Sequence, residues 1–344
     1  MEMKKIIYYI TDHGRGHATR SIAIIRELKK LNVDIIIRNS NSFKLLKKSL
    51  PKTQIIDGIT DVGPSITDDG ISIDENKSIQ SITKWIDDVD KISSKECSLI
   101  QKFNPDLIIS DISVMPLLAG KKTDTSSITI SNFSWYDVLN FLPKNTLEKI
   151  RHFYDYSDLH IQLPLSTPLN HFKTKKSVGL ISRKPTMNSF DLKKKLGIKE
   201  NDFSILLALG NSNELKFSAD NNFKFLSINT KIKNTNNSIN VTDWIEGQDL
   251  VSMADLVICK CGYGFVSECL INSTPFYYVA SDNHLEQVAI SNSLDKLGLK
   301  NRISFDEINN ICFTKEFMRN LSSTVTEKND IDNAINLIQE YLMN

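Results

Sequence analysis

The stretch Thr11-Asp12-His13-Gly14-Arg15-Gly16-His17-Ala18-Thr19-Arg20 decides how this chain is read. An apolar, β-branched run precedes it at residues 5–10, and Ile22, Ile24, Ile25 and Leu28 follow at helical spacing. The stretch therefore sits where a strand becomes a helix. Gly14 and Gly16 let a backbone or a ligand approach closely, and the N–H groups of the helix start favour an anion. His13 and His17 bring acid–base groups to the same turn, and Arg15 and Arg20 bring fixed charge.

Strands and helices alternate outward from this turn. Strands are expected at residues 6–10, 33–38, 53–56, 107–110, 127–131 and 159–163, with helices at 21–30, 78–103 and 144–153. This alternation predicts an α/β fold, a parallel sheet covered by helices on both faces. Residues 62–76 lack periodicity and read as a long solvated loop. Proline and lysine punctuation marks residues 166–200 as a linker region. A second α/β series follows, with strands at 203–209, 223–229, 238–241, 256–259 and 276–280 and helices from Phe265 and Leu285. At 344 residues the chain is too long for one ordinary core. The expected domains are 1–165 and 201–328, with a helix in 329–344 packing across the junction.

Composition removes several function classes. A net charge of +1 gives no bulk attraction to nucleic acid. No apolar stretch reaches membrane-spanning length and no signal peptide is legible, so a cytoplasmic protein is expected. Contact with the inner face of a membrane stays open through residues 138–153, where apolar and basic residues mix; an ordinary packed helix is the preferred reading. Cys97, Cys259, Cys261, Cys269 and Cys312 are odd in number and form no CxxC pair, which favours reduced thiols over disulfides or zinc.

Candidate chemistry gathers at strand ends. Gly14-x-Gly16-x-x-Thr19 is one position from the dinucleotide fingerprint, but Arg38-Asn39-Ser40 stand where an acid should hold a ribose. Arg38 can accept a 2′-phosphate instead, which keeps an NADP enzyme as a minor alternative. His17 is a candidate general base or a helix-start histidine bonded to backbone. Asp111 ends the run Leu107-Ile108-Ile109-Ser110-Asp111 and either orients a histidine or caps the next helix. The turn from Lys260 to Glu268 is the second strong signal. Helix N–H groups at Gly264 to Val266, with Lys260, suit a diphosphate, and Glu268 lies one turn on, within reach of two ribose hydroxyls. Asn283-His284-Leu285-Glu286-Gln287 follows the next strand and either grips a sugar or caps a helix.

Taken together, four segments resemble the GT-B glycosyltransferase superfamily, and within it the glycosyltransferase-like N-terminal region of plant L-arabinokinases. They are His13-Gly14-x-Gly16-His17-Ala18-Thr19-Arg20, Ser110-Asp111, Asn132-Phe133-Ser134-Trp135, and Lys260-x-Gly262-Tyr263-Gly264-x-Val266-Ser267-Glu268. The arabinokinase's phosphorylating domain would lie beyond the matched region, so kinase activity is not carried over. The resemblance implies two Rossmann-like domains facing each other across a cleft, with the acceptor on the first and the nucleotide sugar on the second. It makes His17 the base and Asp111 its partner, with His13, Gly14, Arg15, Gly16, Arg20, Ser134 and Trp135 on the acceptor side. Gly210, Asn211, Lys260, Gly262, Tyr263, Gly264 and Glu268 become donor residues, with His284, Glu286 and Gln287 at the sugar and Trp244-Ile245 at the base. Phe265 departs from the Thr or Ser of many members, and Gly210-Asn211 from their glycine pair.

The expected activity is an inverting, metal-independent sugar transfer without a cofactor. Its donor is a UDP-linked sugar and its acceptor a hydroxyl compound, a lipid-linked one included. The alternatives are a nucleotide-sugar epimerase on the same scaffold and a non-catalytic nucleotide-sugar-binding module.

Overall fold

The structure, a computed structural model, describes residues 3–233, 237–244, 246–321 and 325–343. The chain divides into two compact units. One comprises Met1–Ser65, Ile73–Ser182 and Asn329–Asn344; the other comprises Ile66–Ser72 and Arg183–Lys328.

The first unit is built on seven parallel strands: β1 (Lys4–Ile10), β2 (Val33–Arg38), β3 (Gln54–Ile56), β4 (Leu107–Asp111), β5 (Ser127–Ser131), β6 (Leu159–Gln162) and β7 (Lys175–Ser177). Their order across the sheet is β3-β2-β1-β4-β5-β6-β7. The runs Ile6–Ile10 and Leu107–Asp111 are buried throughout, as strands covered on both faces must be. Helices α1 (Gly16–Leu28), α2 (Phe43–Ser49), α3 (Glu75–Phe103), α4 (Met115–Thr123), α5 (Trp135–Val138) and α6 (Lys144–Tyr154) make the connections. Helix α1 starts five residues before the expected 21, because its first turn is polar and carries no apolar period, yet His17, Ala18 and Arg20 are buried. Gly14 at φ +71° makes the preceding bend, a conformation that favours glycine.

The stretch after residue 164, read as irregular, contributes β7, whose Lys-Lys-Ser is exposed throughout and so shows no strand alternation. The stretch read as linker divides at Ser182/Arg183: its first part belongs to the first unit and its remainder, including α7 (Ser189–Lys195), to the second. The C-terminal helix Ile331–Met343 belongs to the first unit, where it packs on α1. Asp330 anchors its start, accepting from the Gly179 N–H at 2.6 Å and donating its own N–H to the Leu180 carbonyl at 2.8 Å.

The second unit has a five-stranded parallel sheet. Its central strand β8 (Phe203–Ala208) lies between Phe223–Ser227 and Leu256–Lys260, with Ser238–Asn240 and Phe276–Val279 at the edges. Helices α8 (Gly247–Met253), α9 (Tyr263–Asn272) and α10 (Leu285–Lys296) follow. The loop expected over 62–76 is split, because Ile71 packs on the core of this second unit, which includes Leu209 and Ile258. Among the described residues, no helix is long and apolar enough to cross a membrane.

A buried histidine makes the first unit sensitive to acid. His160 on β6 is 0 % exposed and stacks on Phe172 at 3.9 Å. Its Nδ1 pairs with the Thr129 hydroxyl at 2.8 Å, while Nε2 finds no hydrogen-bond partner among the described residues. Burial, with His171 and Lys175 adding to it, holds this imidazole well below the ordinary histidine range. The unfolded chain therefore takes up a proton near pH ~6.5 that the folded chain refuses. Stability is complete above that pH and falls below it, by up to about 1.4 kcal/mol per pH unit for this one group. Urea unfolding of the wild type and His160→Gln between pH 7.5 and 5 checks this: the variant should show the shallower loss, and equal slopes would contradict it.

Candidate active site

Parallel pairing sets Ile10 of β1 beside Asp111 of β4, so the chain leaves β1 for α1 next to the Asp111 carboxylate. His17, one turn into α1, places Nδ1 2.7 Å from Asp111 Oδ1, both side chains being buried. Arg20, one turn further, donates from Nε to Oδ2 at 2.8 Å and from one terminal nitrogen to Oδ1 at 2.6 Å. The Ser21 hydroxyl donates to Oδ2 at 3.2 Å. Burial by itself pushes the Asp111 carboxyl up; the Arg20 guanidinium and His17 outweigh it and hold the group at about 2. Asp111 is thus a charged acceptor facing His17 and not a helix cap, since the next helix starts at Met115 with no side-chain cap bond. With Nδ1 turned to the carboxylate, Nε2 is the ring nitrogen left to meet a substrate proton.

The other acceptor-side residues surround this pair to different degrees. Phe133 packs edge-on to His17 at 5.4 Å and to Trp135 at 5.5 Å, and His13 meets Trp135 edge-on at 5.5 Å. The His13 ring also lies against Gly63, where an added Cβ would come within 2.3 Å of Nδ1. Gly14, Arg15 and Gly16 are exposed. Ser134 is spent on capping α5, accepting from the Asp137 N–H at 3.1 Å. Trp135 donates its indole N–H to Asp61 Oδ2 at 3.0 Å.

Asp61 is a residue that the sequence reading missed. Its Oδ1 accepts from the Thr11 hydroxyl at 2.8 Å and the Asp12 N–H at 2.9 Å, so it ties Trp135 to the first glycine turn. Burial raises its carboxyl to about 6, against the pull of those hydrogen bonds. It lies in the aperiodic stretch after β3, where no pattern marks it. Arg38 is committed elsewhere: it forks onto the buried Glu96, which also accepts from Tyr9, and donates to the Ile56 and Asp57 carbonyls. That engagement removes the group that would have held a 2′-phosphate. Of the apolar residues of 138–153, Val138, Leu139, Leu142, Ile150 and Phe153 are buried within the first unit, and Phe141 and Leu147 are half-buried.

In the second unit, Gly262 caps α9 with an extended backbone, and Tyr263 and Gly264 open the helix. Lys260, at the end of the preceding strand, donates from Nζ to the Gly70 carbonyl at 2.6 Å. Burial lowers its ammonium, with Asp69 opposing. Gly210, at φ +79°, lies so close to Lys260 that a Cβ there would come within 2.7 Å of Nζ. Asn211 is exposed. Gln287 accepts the Ser281 N–H at 2.8 Å and donates to the Ile71 carbonyl at 3.3 Å. His284 and Glu286 are buried at the start of α10, and burial lowers the His284 imidazole. Trp244 carries the Lys195 ammonium 4.7 Å from its ring centroid; Ile245 lies outside the described residues.

Glu268, expected within reach of ribose hydroxyls, is buried. It is 3 % exposed and paired with the buried Arg183, whose Nε and a terminal nitrogen lie 3.1 and 3.0 Å from Oε1. Burial raises the Glu268 carboxyl and Arg183 pulls it back down. Arg183 stands 85 positions away in the stretch read as linker, so no local pattern links the two.

Comparison with known proteins agrees with this architecture. Residues 4–164 match the family model of glycosyl transferase family 1. The L-arabinokinase of Arabidopsis thaliana is 23% identical over 307 residues, covering 84% of this chain and 29% of that protein. The chain thus spans less than a third of the curated relative's length. Among solved structures, the glycotransferase of kitacinnamycin aligns over 99% of this chain and 100% of its own, at TM-score 0.63 and 14% identity. SnogD from Streptomyces nogalater aligns over 99% and 94% at TM-score 0.62 and 13% identity. Arabidopsis thaliana UGT89C1, solved with UDP-L-rhamnose, aligns over 99% and 90% at TM-score 0.55 and 9% identity. These likenesses establish a fold of two parallel-sheet α/β units of the GT-B type. The match of residues 4–164 to glycosyl transferase family 1 supports a glycosyltransferase.

Proposed function

We propose that this chain transfers a sugar, with inversion and without a metal, from a UDP-linked donor to an acceptor hydroxyl. The observation that carries the reading is the 2.7 Å contact between His17 Nδ1 and the ionised, buried Asp111. In the proposed step, His17 Nε2 takes the acceptor's proton as its oxygen forms a bond to the anomeric carbon. The bond from that carbon to the diphosphate oxygen breaks, and UDP leaves with the electron pair. Asp111 holds the ring in one tautomer and stabilises the imidazolium that forms. On the donor side, Lys260 and the N–H groups at the start of α9 would meet the diphosphate charge. Lys260 then exchanges its hydrogen bond to Gly70 for one to phosphate. UGT89C1, seen with UDP-L-rhamnose, supports a UDP-sugar as donor class.

Thermal unfolding with a panel of nucleotide sugars tests the donor. A ligand present at 100 times its Kd should stabilise the chain by about 2.7 kcal/mol. Lys260→Met should lose most of that gain, and a panel with no stabilising member would contradict the donor reading.

A further inference from the structure

We propose that Arg20 is a positioning residue for the base, fixing Asp111 so that His17 keeps its proton on Nδ1. The inference rests on the reading of His17 as the base. Arg20 follows His17 by one turn of α1 and is 2 % exposed. Its fork spans both Asp111 oxygens, and its other terminal nitrogen donates to Asn132 Oδ1 at 2.5 Å. Asn132 follows β5 and is 0 % exposed, so the guanidinium is braced between two adjacent strand ends.

The arrangement poses a choice of proton position. His17 Nδ1 lies 2.7 Å from Asp111 Oδ1 and 2.6 Å from an Arg20 nitrogen. The two neighbours favour opposite states: an ionised carboxylate can only accept and favours a proton on Nδ1, whereas a guanidinium N–H can only donate and favours a bare Nδ1. In the proposed state the Arg20 N–H groups serve the two carboxylate oxygens, and a proton on Nδ1 bridges His17 to the ionised Asp111. Arg20 supplies the ionisation: it is the leading influence holding this buried carboxyl down against desolvation. The charged or titratable groups around Asp111 are His17, Arg20 and the buried Tyr8 and Tyr154 phenols. Arg20 is the permanent cation among them. Without it, burial prevails and the Asp111 carboxyl takes a proton at higher pH. The ring is then free to move its own proton to Nε2, which is useless to a base.

Histidine 15N NMR tests this without depending on turnover. His17 is assigned by comparison with His17→Ala, and spectra of the wild type, Arg20→Gln and Arg20→Lys are recorded from pH 8 to 5. The wild type should hold His17 as the Nδ1–H tautomer. With imidazolium, which carries both protons, counted apart, the neutral rings of Arg20→Gln should show the Nε2–H tautomer, while Arg20→Lys, which keeps the charge, should stay closer to wild type. Identical tautomers in wild type and Arg20→Gln would overturn the proposal, as would a wild type already in the Nε2–H form. Should Arg20→Gln not fold, the wild-type tautomer and Arg20→Lys decide the matter. Where turnover is measured, Arg20→Gln should lose about 10²-fold in kcat near pH 7. Part of that loss should be recovered at pH 9, with donor binding intact; a pH-independent loss marks a merely structural role. Failure of the wild type to use any nucleotide sugar counts against the proposed function and leaves the tautomer result standing.

Discussion

Replacing His17 with alanine should lower sugar transfer by about 10²–10⁴-fold while nucleotide binding survives. The magnitude is that of a positioned general base. The selectivity follows from where the residue stands. His17 belongs to the first unit, whereas Lys260, Gly264 and Gln287 belong to the second. Its ring contacts Asp111, Arg20 and Phe133, all in the first unit. Calorimetry with UDP checks the binding half and UDP release checks the turnover half. A loss of less than tenfold would remove His17 from the role.

The second large effect concerns stability. Arg183→Met should destabilise the chain by about 3–5 kcal/mol, because it strands a buried carboxylate. Arg183 and Glu268 side chains are each 4 % exposed, so water cannot replace the lost partner. Arg183→Met combined with Glu268→Leu should recover most of that loss, since an apolar pair of similar volume needs no partner. Urea unfolding of the two variants measures both. A single variant within 1 kcal/mol of wild type would mean that the pair is not isolated from solvent. The arrangement also bears on the donor reading. A ribose would meet Glu268 only at the carboxylate atoms that Arg183 leaves, so the residue is held in place before any donor arrives.

Much of this was legible in the sequence wherever a pattern is local. The buried run of β1, the glycine turn and the apolar face of α1 identify a parallel α/β sheet with polar residues at strand ends. His17 and Asp111 could each be singled out because each stands at such an end. That they touch depends on β1 and β4 being neighbours, a property of strand order across 94 positions. Asp61 and Arg183 were not legible, because each lies in an aperiodic stretch and acts on a partner far along the chain. The short strand β7 was missed because its exposed residues do not alternate. Segment Ile66–Ser72 reads as solvated loop, yet Ile71 is drawn onto the second unit's core and Gly70 takes the Lys260 ammonium. Arg38 misled in the opposite direction. Its position suggested a phosphate ligand, and its true partner is a glutamate on α3.

Mass spectrometry of reaction products tests for a His17-dependent transfer from a nucleotide sugar to a hydroxyl. Wild type and His17→Ala are incubated with UDP-sugars, with and without a panel of hydroxyl acceptors. Free UDP and a glycosylated, anomerically inverted product are expected from the wild type, and at least about 10²-fold less from the variant. An epimerised nucleotide sugar formed without acceptor would contradict that transfer, as would bound donor with no UDP released or equal product from both proteins.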